Sequence, residues 1–143
     1  MPDETTQPLK PVPLPSPESR PFWQAARNHR LKLPHCSRCG QFWFPPSCLC
    51  PNCLYDGFHW QEVSGRGRVH SFVVFHRVYQ PAFARDVPYV VALIELDEGP
   101  RMLSNVIDVD PDKVRCGMRV VVTFDDIAAD ISVPRFSPAD GKI

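Results

Sequence analysis

Nowhere in the 143 residues do about twenty apolar residues run together, so no segment has the length a membrane-spanning helix needs. Neither charge sign is in excess, with 16 Lys and Arg against 16 Asp and Glu. Binding to nucleic acid through bulk electrostatics normally needs a surplus of cations to displace counterions, and there is none. The N-terminus lacks the basic-then-apolar pattern of a secretory signal. The expectation is a cytoplasmic protein with reduced thiols, which weighs against a disulfide framework for its six cysteines. There is no G-x-S-x-G nucleophile elbow, and no internal repeat. Glycine is sparse, at seven residues, while proline is abundant, at 17.

The prolines are concentrated first. Residues 1–17, "MPDETTQPLKPVPLPSP", hold six of them. Proline fixes φ and lacks a backbone donor, so this stretch reads as an extended arm rather than a folded element. Residues 18–32 follow as a helical segment, with the helix itself over about 18–29. Ser16 or Ser19 can cap it, Pro17 or Pro21 suits its first turn, and Phe22, Trp23 and Ala26 share one side. Charge is uneven here. Residues 18–44 carry five cations (Arg20, Arg27, Arg30, Lys32, Arg38) and one anion, whereas residues 45–143 carry ten cations and thirteen anions. This basic neck suits a phosphate-bearing ligand or an acidic partner, and equally a solvated helix face.

Residues 33–60 hold five of the six cysteines in "HCSRCGQFWFPPSCLCPNC". Cys36/Cys39 and Cys50/Cys53 form two C-x2-C turns separated by ten residues. Each turn places two sulfurs on one side of a tight loop, and two such knuckles facing each other complete a tetrahedron for a thiophilic metal. Gly40 follows the first pair, where a positive φ is often needed; Pro51 and Asn52 are turn residues within the second. The spacing predicts structural zinc, with an iron site of the same geometry left open. Four thiolates leave no coordination position for catalysis. A thioredoxin-type centre would need one C-x-x-C in a βαβ setting, which is missing. Cys48 reads as a bystander, and His35 and His59 as residues flanking the site.

Beyond residue 60 the pattern becomes strand-like. Segments 67–78, 89–96, 101–107, 119–127 and 131–136 are rich in Val, Ile, Phe and Tyr. A short helical turn at Pro111–Cys116, capped by Asp110, falls between the third and fourth. Five strands with this interruption predict a small closed barrel of the OB type over 61–138, followed by a tail at 139–143; a β-sandwich usually wants about seven strands. His70 and His76 are six apart on one predicted strand and are expected on one face. Asp125 and Asp126 read as solvated, and Cys116 as a small packing residue.

Several stretches resemble the bacterial and archaeal family of OB-fold proteins with an N-terminal rubredoxin-like zinc ribbon, found beside thiolases and other acyl-CoA enzymes. They are "FWQAARNHRLKLPHCSRCGQFWFPP", "CPNC", "EVSGRGRVHSFVVFHR", "PYVVALIELDEGPRMLSNV" and "GMRVVVTFDD", in the family's order over about residues 20–138. Cys48 departs from the family pattern. The resemblance implies a mainly β fold of helix, zinc ribbon and five-stranded OB barrel. It also implies a non-catalytic accessory subunit in a complex with a thiolase-like enzyme, or in some cases a hydratase, acting on CoA thioesters. Such a subunit supports the partner and helps shape its acyl-CoA tunnel. Candidate contacts for acyl-CoA or partner are Trp23 and Arg30 in the helix and neck, Phe42, Trp43 and Phe44 between the knuckles, and Tyr79 and Phe83 in the unusually apolar loop 78–89. The alternative is a nucleic-acid-binding OB module, which would need outward aromatics such as Phe72 or Phe75 beside a basic groove.

Overall fold

The computed structural model describes residues 9–139; the first part of the Pro-rich arm, residues 1–8, and the tail at 140–143 lie outside the described residues. The chain is mainly β. One helix, α1 (Arg20–Arg27), leads into a two-stranded antiparallel sheet of β1 (Lys32–Cys36) and β2 (Phe58–Glu62). A closed barrel then follows, built from β3 (Arg66–Phe75), β4 (Tyr89–Leu96), β5 (Arg101–Val106), β6 (Arg119–Ala128) and β7 (Ile131–Pro138) in the order β3-β4-β5-β7-β6. The five-stranded barrel expected from the sequence is the one observed.

The alternation within each strand explains the barrel. In "YVVALIEL" of β4, Val90, Ala92, Ile94 and Leu96 are buried while the residues between them are half-buried, as a pleat with one dry face requires. They meet Val69, Met102, Val106, Val120 and Phe136 from the other strands. Each Val, Leu, Ile, Met or Phe among them contributes about 1.5–3 kcal/mol when fully buried, Ala92 less. The barrel closes where β3 pairs with β6 and where β5 meets β7 in parallel at Val106 and Phe136.

Three local differences from expectation have physical causes. Helix α1 is shorter than the anticipated 18–29, because His29 takes a positive φ of 59° and the Arg30 N–H turns back to Ala25 O, a closure that ends a helix. The turn before β6 is only the 3-10 turn Pro111–Lys113, with the Asp110 carboxylate accepting from Asp112 N. A register shift between Val69 and Ser71 breaks the alternation of β3, and His76 lies past the strand's end. His70 and His76 therefore do not form the same-face pair that uniform spacing implies. No local residue pattern marks the sheet of β1 and β2, which pairs strands beginning 26 residues apart, at Lys32 and Phe58.

Helix, ribbon sheet and barrel share one core. Phe22 of α1, Leu31 and Leu33 beside and within β1, and Val63 after β2 belong to the same buried cluster as the barrel interior. Val63 N donates to Leu31 O at 2.9 Å, and Glu98 accepts from Ser64 N at 2.8 Å.

At Gly67 the neighbouring strand leaves no room for a side chain: a Cβ there would lie 2.4 Å from Glu95 O. Gly67→Ala should therefore push β3 and β4 apart and lower unfolding free energy by about 1–3 kcal/mol in urea titration.

Candidate metal centre

Two knuckles hold the cysteines, and their local geometry is repeated. Gly40 N donates to Cys36 O at 3.0 Å, and Leu54 N to Cys50 O at 2.8 Å. The residue after each C-x2-C pair takes a positive φ, 75° at Gly40 and 62° at Leu54. Glycine meets that need without strain at the first knuckle. Leucine occupies the same place at the second and is 71% exposed. A left-handed leucine carries no sequence signal of a turn, so this half of the symmetry was not legible beforehand.

The sulfurs of Cys36, Cys39, Cys50 and Cys53 all lie within 4.8 Å of one another. Cys36 Sγ and Cys53 Sγ are 3.6 Å apart, as are Cys39 Sγ and Cys50 Sγ. A tetrahedron with Zn–S bonds of about 2.3 Å has edges of about 3.8 Å, so these residues fit one zinc ion with four thiolates. Among the described residues this is the one such gathering of three or more His, Cys, Asp or Glu ligand atoms. Cys48 and Cys116 stand outside it and are exposed; exposure removes the packing role expected of Cys116.

Backbone amides aim at the sulfurs. Arg38 N and Cys39 N each donate to Cys36 Sγ at 3.4 Å. The Cys39 thiol is drawn down to about 6, first by the Gln41 N–H and then by the Asn52 side chain. Cys36 is lowered as well, chiefly by the Cys39 N–H. At Cys53 the Tyr55 N–H also pulls downward, but burial and the neighbouring thiols outweigh it and push the group up to about 11. The turns thus favour negative charge, while crowding resists placing all of it there without a cation.

A small dry cluster supports the site. Cys36, Cys50 and Trp43 are buried together, with Cys53, Tyr55 and Phe58 against them. Trp43 is only 4% exposed, meets Phe58 edge-on at 5.2 Å, and donates from Nε1 to Ser47 Oγ at 3.0 Å. It holds the ribbon together, and burial removes it from the contact candidates. Phe42 and Phe44 instead face the shared core, Phe44 lying 5.4 Å from Phe22. Trp23 is half-buried, edge-on to Phe22. His35 packs on Phe42 at 4.4 Å and on His59 at 4.9 Å.

The remaining candidates are spread over the surface. Arg30 is exposed and lines a cleft of about 530 Å³ with Lys32, Trp60 and α1 residues. Tyr79 is 71% exposed, and Phe83 is half-buried next to Tyr89. None of these groups converges on the cysteines, and Tyr79 and Phe83 share one aromatic cluster, with Phe75 and Tyr89, apart from Arg30. The two adjacent aspartates are not simply solvated: Asp125 pairs with Arg135 at 3.0 Å, and Asp126 meets both His29 Nε2 at 2.8 Å and the donating Ser132 hydroxyl at 2.5 Å. Ser, His and Asp are thus together but not in catalytic order. Ser132 is 3% exposed and its proton goes to the carboxylate rather than to the imidazole.

Two outcomes follow from this geometry. Cys50→Ser should abolish stoichiometric metal and unfold the ribbon, whereas Cys48→Ser should keep one metal per chain; elemental analysis with near-UV circular dichroism separates them. Asp126 is held below its ordinary 3.8, first by the Ser132 hydroxyl and then by His29. Its stabilising contribution is present above its unfolded value and is lost as pH falls through the lowered folded one. Asp126→Asn should therefore flatten the acid side of a plot of unfolding free energy against pH below about 5.

The chain matches two domain models in succession: "ChsH2, rubredoxin-like zinc ribbon domain" over residues 23–58 and "ChsH2, C-terminal OB-fold domain" over residues 60–125. It is 37% identical over 133 residues to a probable enoyl-CoA hydratase alpha subunit of Thermomonospora curvata, covering 92% of this chain and 40% of that one. It is 39% identical over 99 residues to a DUF35 domain-containing scaffold protein of Methanothermobacter thermautotrophicus, covering 68% of this chain and 74% of that one. A further match is the benzoylsuccinyl-CoA thiolase subunit BbsA of Geobacter metallireducens, 32% identical over 97 residues, covering 68% of this chain and 63% of that one. Among solved structures, a chain of the Ltp2-ChsH2(DUF35) aldolase superposes with a TM-score of 0.80 at 35% identity, covering 90% of this chain and 99% of that one. The paired cysteine knuckles thus sit in a rubredoxin-like zinc ribbon, and the chain belongs to the DUF35 family of ChsH2-type zinc-ribbon and OB-fold proteins.

Proposed function

We propose that this chain is a non-catalytic subunit of an enzyme complex acting on CoA thioesters, with a thiolase-like or aldolase-like partner that it stabilises and whose acyl-CoA it helps to hold. The observation that carries the reading is the match over 90% of the chain to a polypeptide of an aldolase complex. Relatives named as a thiolase subunit and a hydratase alpha subunit point to the same class of substrate. The chemistry of the chain agrees. A zinc held by Cys36, Cys39, Cys50 and Cys53 would cross-link the ribbon and, with four thiolates, would offer substrate no open position. No nucleophile and base are in contact at Ser132 and His29.

The neck supplies a surface for the CoA portion. Arg30 and Lys32 share a cleft with the Trp60 indole, and no carboxylate lines it. Cations beside an aromatic face suit a nucleotide with phosphates. The T. curvata relative is much longer than this chain, which spans 40% of it; activity and partner here are assigned from the shared region.

The nucleic-acid alternative is left with one outward aromatic cluster, Phe75 with Tyr79 and Tyr89, bordered by aliphatic rather than basic side chains. Phe72 packs against the barrel core, and Phe75 is stacked on Tyr89 at 5.2 Å. The outer positions of β3, β4 and β5 carry Val73, Leu93 and Leu103 instead.

Co-expression with a thiolase-like or aldolase-like acyl-CoA enzyme from the same source should give a stable complex on gel filtration, with turnover absent from this chain alone. In that complex, Arg30→Glu with Lys32→Glu should raise KM for an acyl-CoA about tenfold or more, as loss of charge-assisted contacts predicts. KM for the corresponding acyl-pantetheine, which lacks the nucleotide, should stay unchanged. Failure to form any complex would remove the proposal; equal effects on both substrates would remove the neck from CoA binding.

A further inference from the structure

The outside of a small barrel normally carries polar residues at the positions that alternate with the core. On three adjacent strands here, four central outward positions depart from that rule. Val73 of β3 lies opposite Val91 of β4, and Leu93 of β4 opposite Leu103 of β5. These four side chains, with Ser71 and Phe72 beside them, line one shallow depression. Val73 is 55% exposed and Leu103 64%. The apolar surface continues along the same strands, since Phe75 pairs with Tyr89 and their rings stack at 5.2 Å. Tyr79 then closes on Phe75 edge-on at 5.9 Å. The loop 78–89 is therefore one end of a longer apolar stripe across the barrel wall. A contiguous exposed apolar surface of this kind marks an interaction site.

Charge at its margins defines the occupant. At one end Glu95 faces Arg68 at 3.3 Å and His70 at 3.9 Å, and it stands directly opposite Arg101 in the β4–β5 register. One carboxylate there stands among two guanidinium groups and an imidazole. At the other end Arg77 lies over the Tyr79 ring at 5.5 Å, and it is absent from the ion pairs among the described residues. The stripe is thus apolar at its centre and cationic at both ends. It complements a protein face with an apolar centre and carboxylates at its edge. A second copy of the chain would bring cations against cations and fits less well. The T. curvata relative carries this module within a chain in which it occupies 40% of the length, so the module there works next to other protein.

We infer that the β3–β4–β5 outer face, centred on Val73, Val91, Leu93 and Leu103, is the docking surface for the catalytic subunit of the acyl-CoA enzyme. This rests on the subunit reading above and goes beyond it by naming the face and the chemistry of its partner. The metal centre and the basic neck remain outside the contact.

The test uses the full chain co-expressed with the acyl-CoA enzyme of the co-expression experiment above, measured by affinity capture and by titration of the purified partners. Val73→Glu with Leu103→Glu alters two exposed side chains and should leave metal content and melting temperature unchanged while weakening the complex at least tenfold. Leu103→Ser serves as a gentler variant and should weaken it severalfold. Arg101→Glu should slow association and reduce its dependence on salt. Binding by the wild type and undiminished binding by the folded Glu variants would overturn this inference alone. No binding by the wild type would overturn both this inference and the subunit reading. A dimer of the isolated chain in sedimentation equilibrium, abolished by the same variants, would assign the face to a second copy and overturn the occupant named here.

Discussion

Four sulfurs held within 4.8 Å of one another are the contact on which the rest of the arrangement depends. The ribbon's own dry cluster has just Cys36, Trp43 and Cys50 fully buried, far too little apolar mass to offset the entropy of ordering two loops. Amide groups draw Cys39 and Cys36 toward thiolate, while crowding pushes Cys53 the other way. A divalent cation resolves that conflict, since it takes all four as thiolates at once. With the knuckles closed, β1 and β2 are fixed in register from Lys32–Glu62 to Cys36–Phe58. Leu33 and the flanking Leu31 and Val63 are thereby carried into the core shared with the barrel. A metal held there would therefore act at a distance, by orienting the neck and helix through the sheet it closes.

The chemistry-bearing side chains described above are largely committed to one another. The sulfurs are committed to one another, Ser132 to Asp126, and Asp125 to Arg135. What stays available is surface, namely Arg30 and Lys32 in the cleft beside Trp60, and the apolar stripe on β3, β4 and β5. The two lie on different elements. On the subunit reading proposed above, one of these faces would grip a partner and the other would take a ligand.

Much of the architecture can be read directly from residue patterns. The C-x2-C pairs name the metal ligands because thiolate geometry admits few spacings. "YVVALIEL" marks β4 to the residue, since a run of β-branched and aliphatic residues bounded by proline and glycine suits a strand with one dry face. The parts that stay hidden depend on contacts distant in sequence. Phe42, Trp43 and Phe44 are too many aromatics for a solvated loop, but no local pattern says that Trp43 packs on Phe58, fifteen positions on. Asp126 finds His29 across 97 positions, a partner that no local pattern announces. The bulge after Val69 displaces the alternation in β3 and with it the expected pairing of His70 with His76. The apolar stripe is half legible: loop 78–89 is visibly apolar, but its continuation needs the register that sets Val73 beside Val91 and Leu93 beside Leu103.

Charge placement follows the same logic. Formal charge over the chain sums to zero, which by itself suggests an electrostatically neutral object. The structure distributes it otherwise. Several barrel carboxylates are spoken for, Asp97 by Arg119, Glu95 by Arg68, Asp125 by Arg135 and Asp126 by His29. The neck cations Arg20, Arg27, Arg30 and Lys32 have no carboxylate in the ion pairs among the described residues. Paired charges cancel within a few ångströms, while unpaired ones project a field over roughly a Debye length, about 8–10 Å at physiological salt. A chain of zero net charge can therefore present a positive face to an anionic ligand, and composition alone underestimates its electrostatic reach.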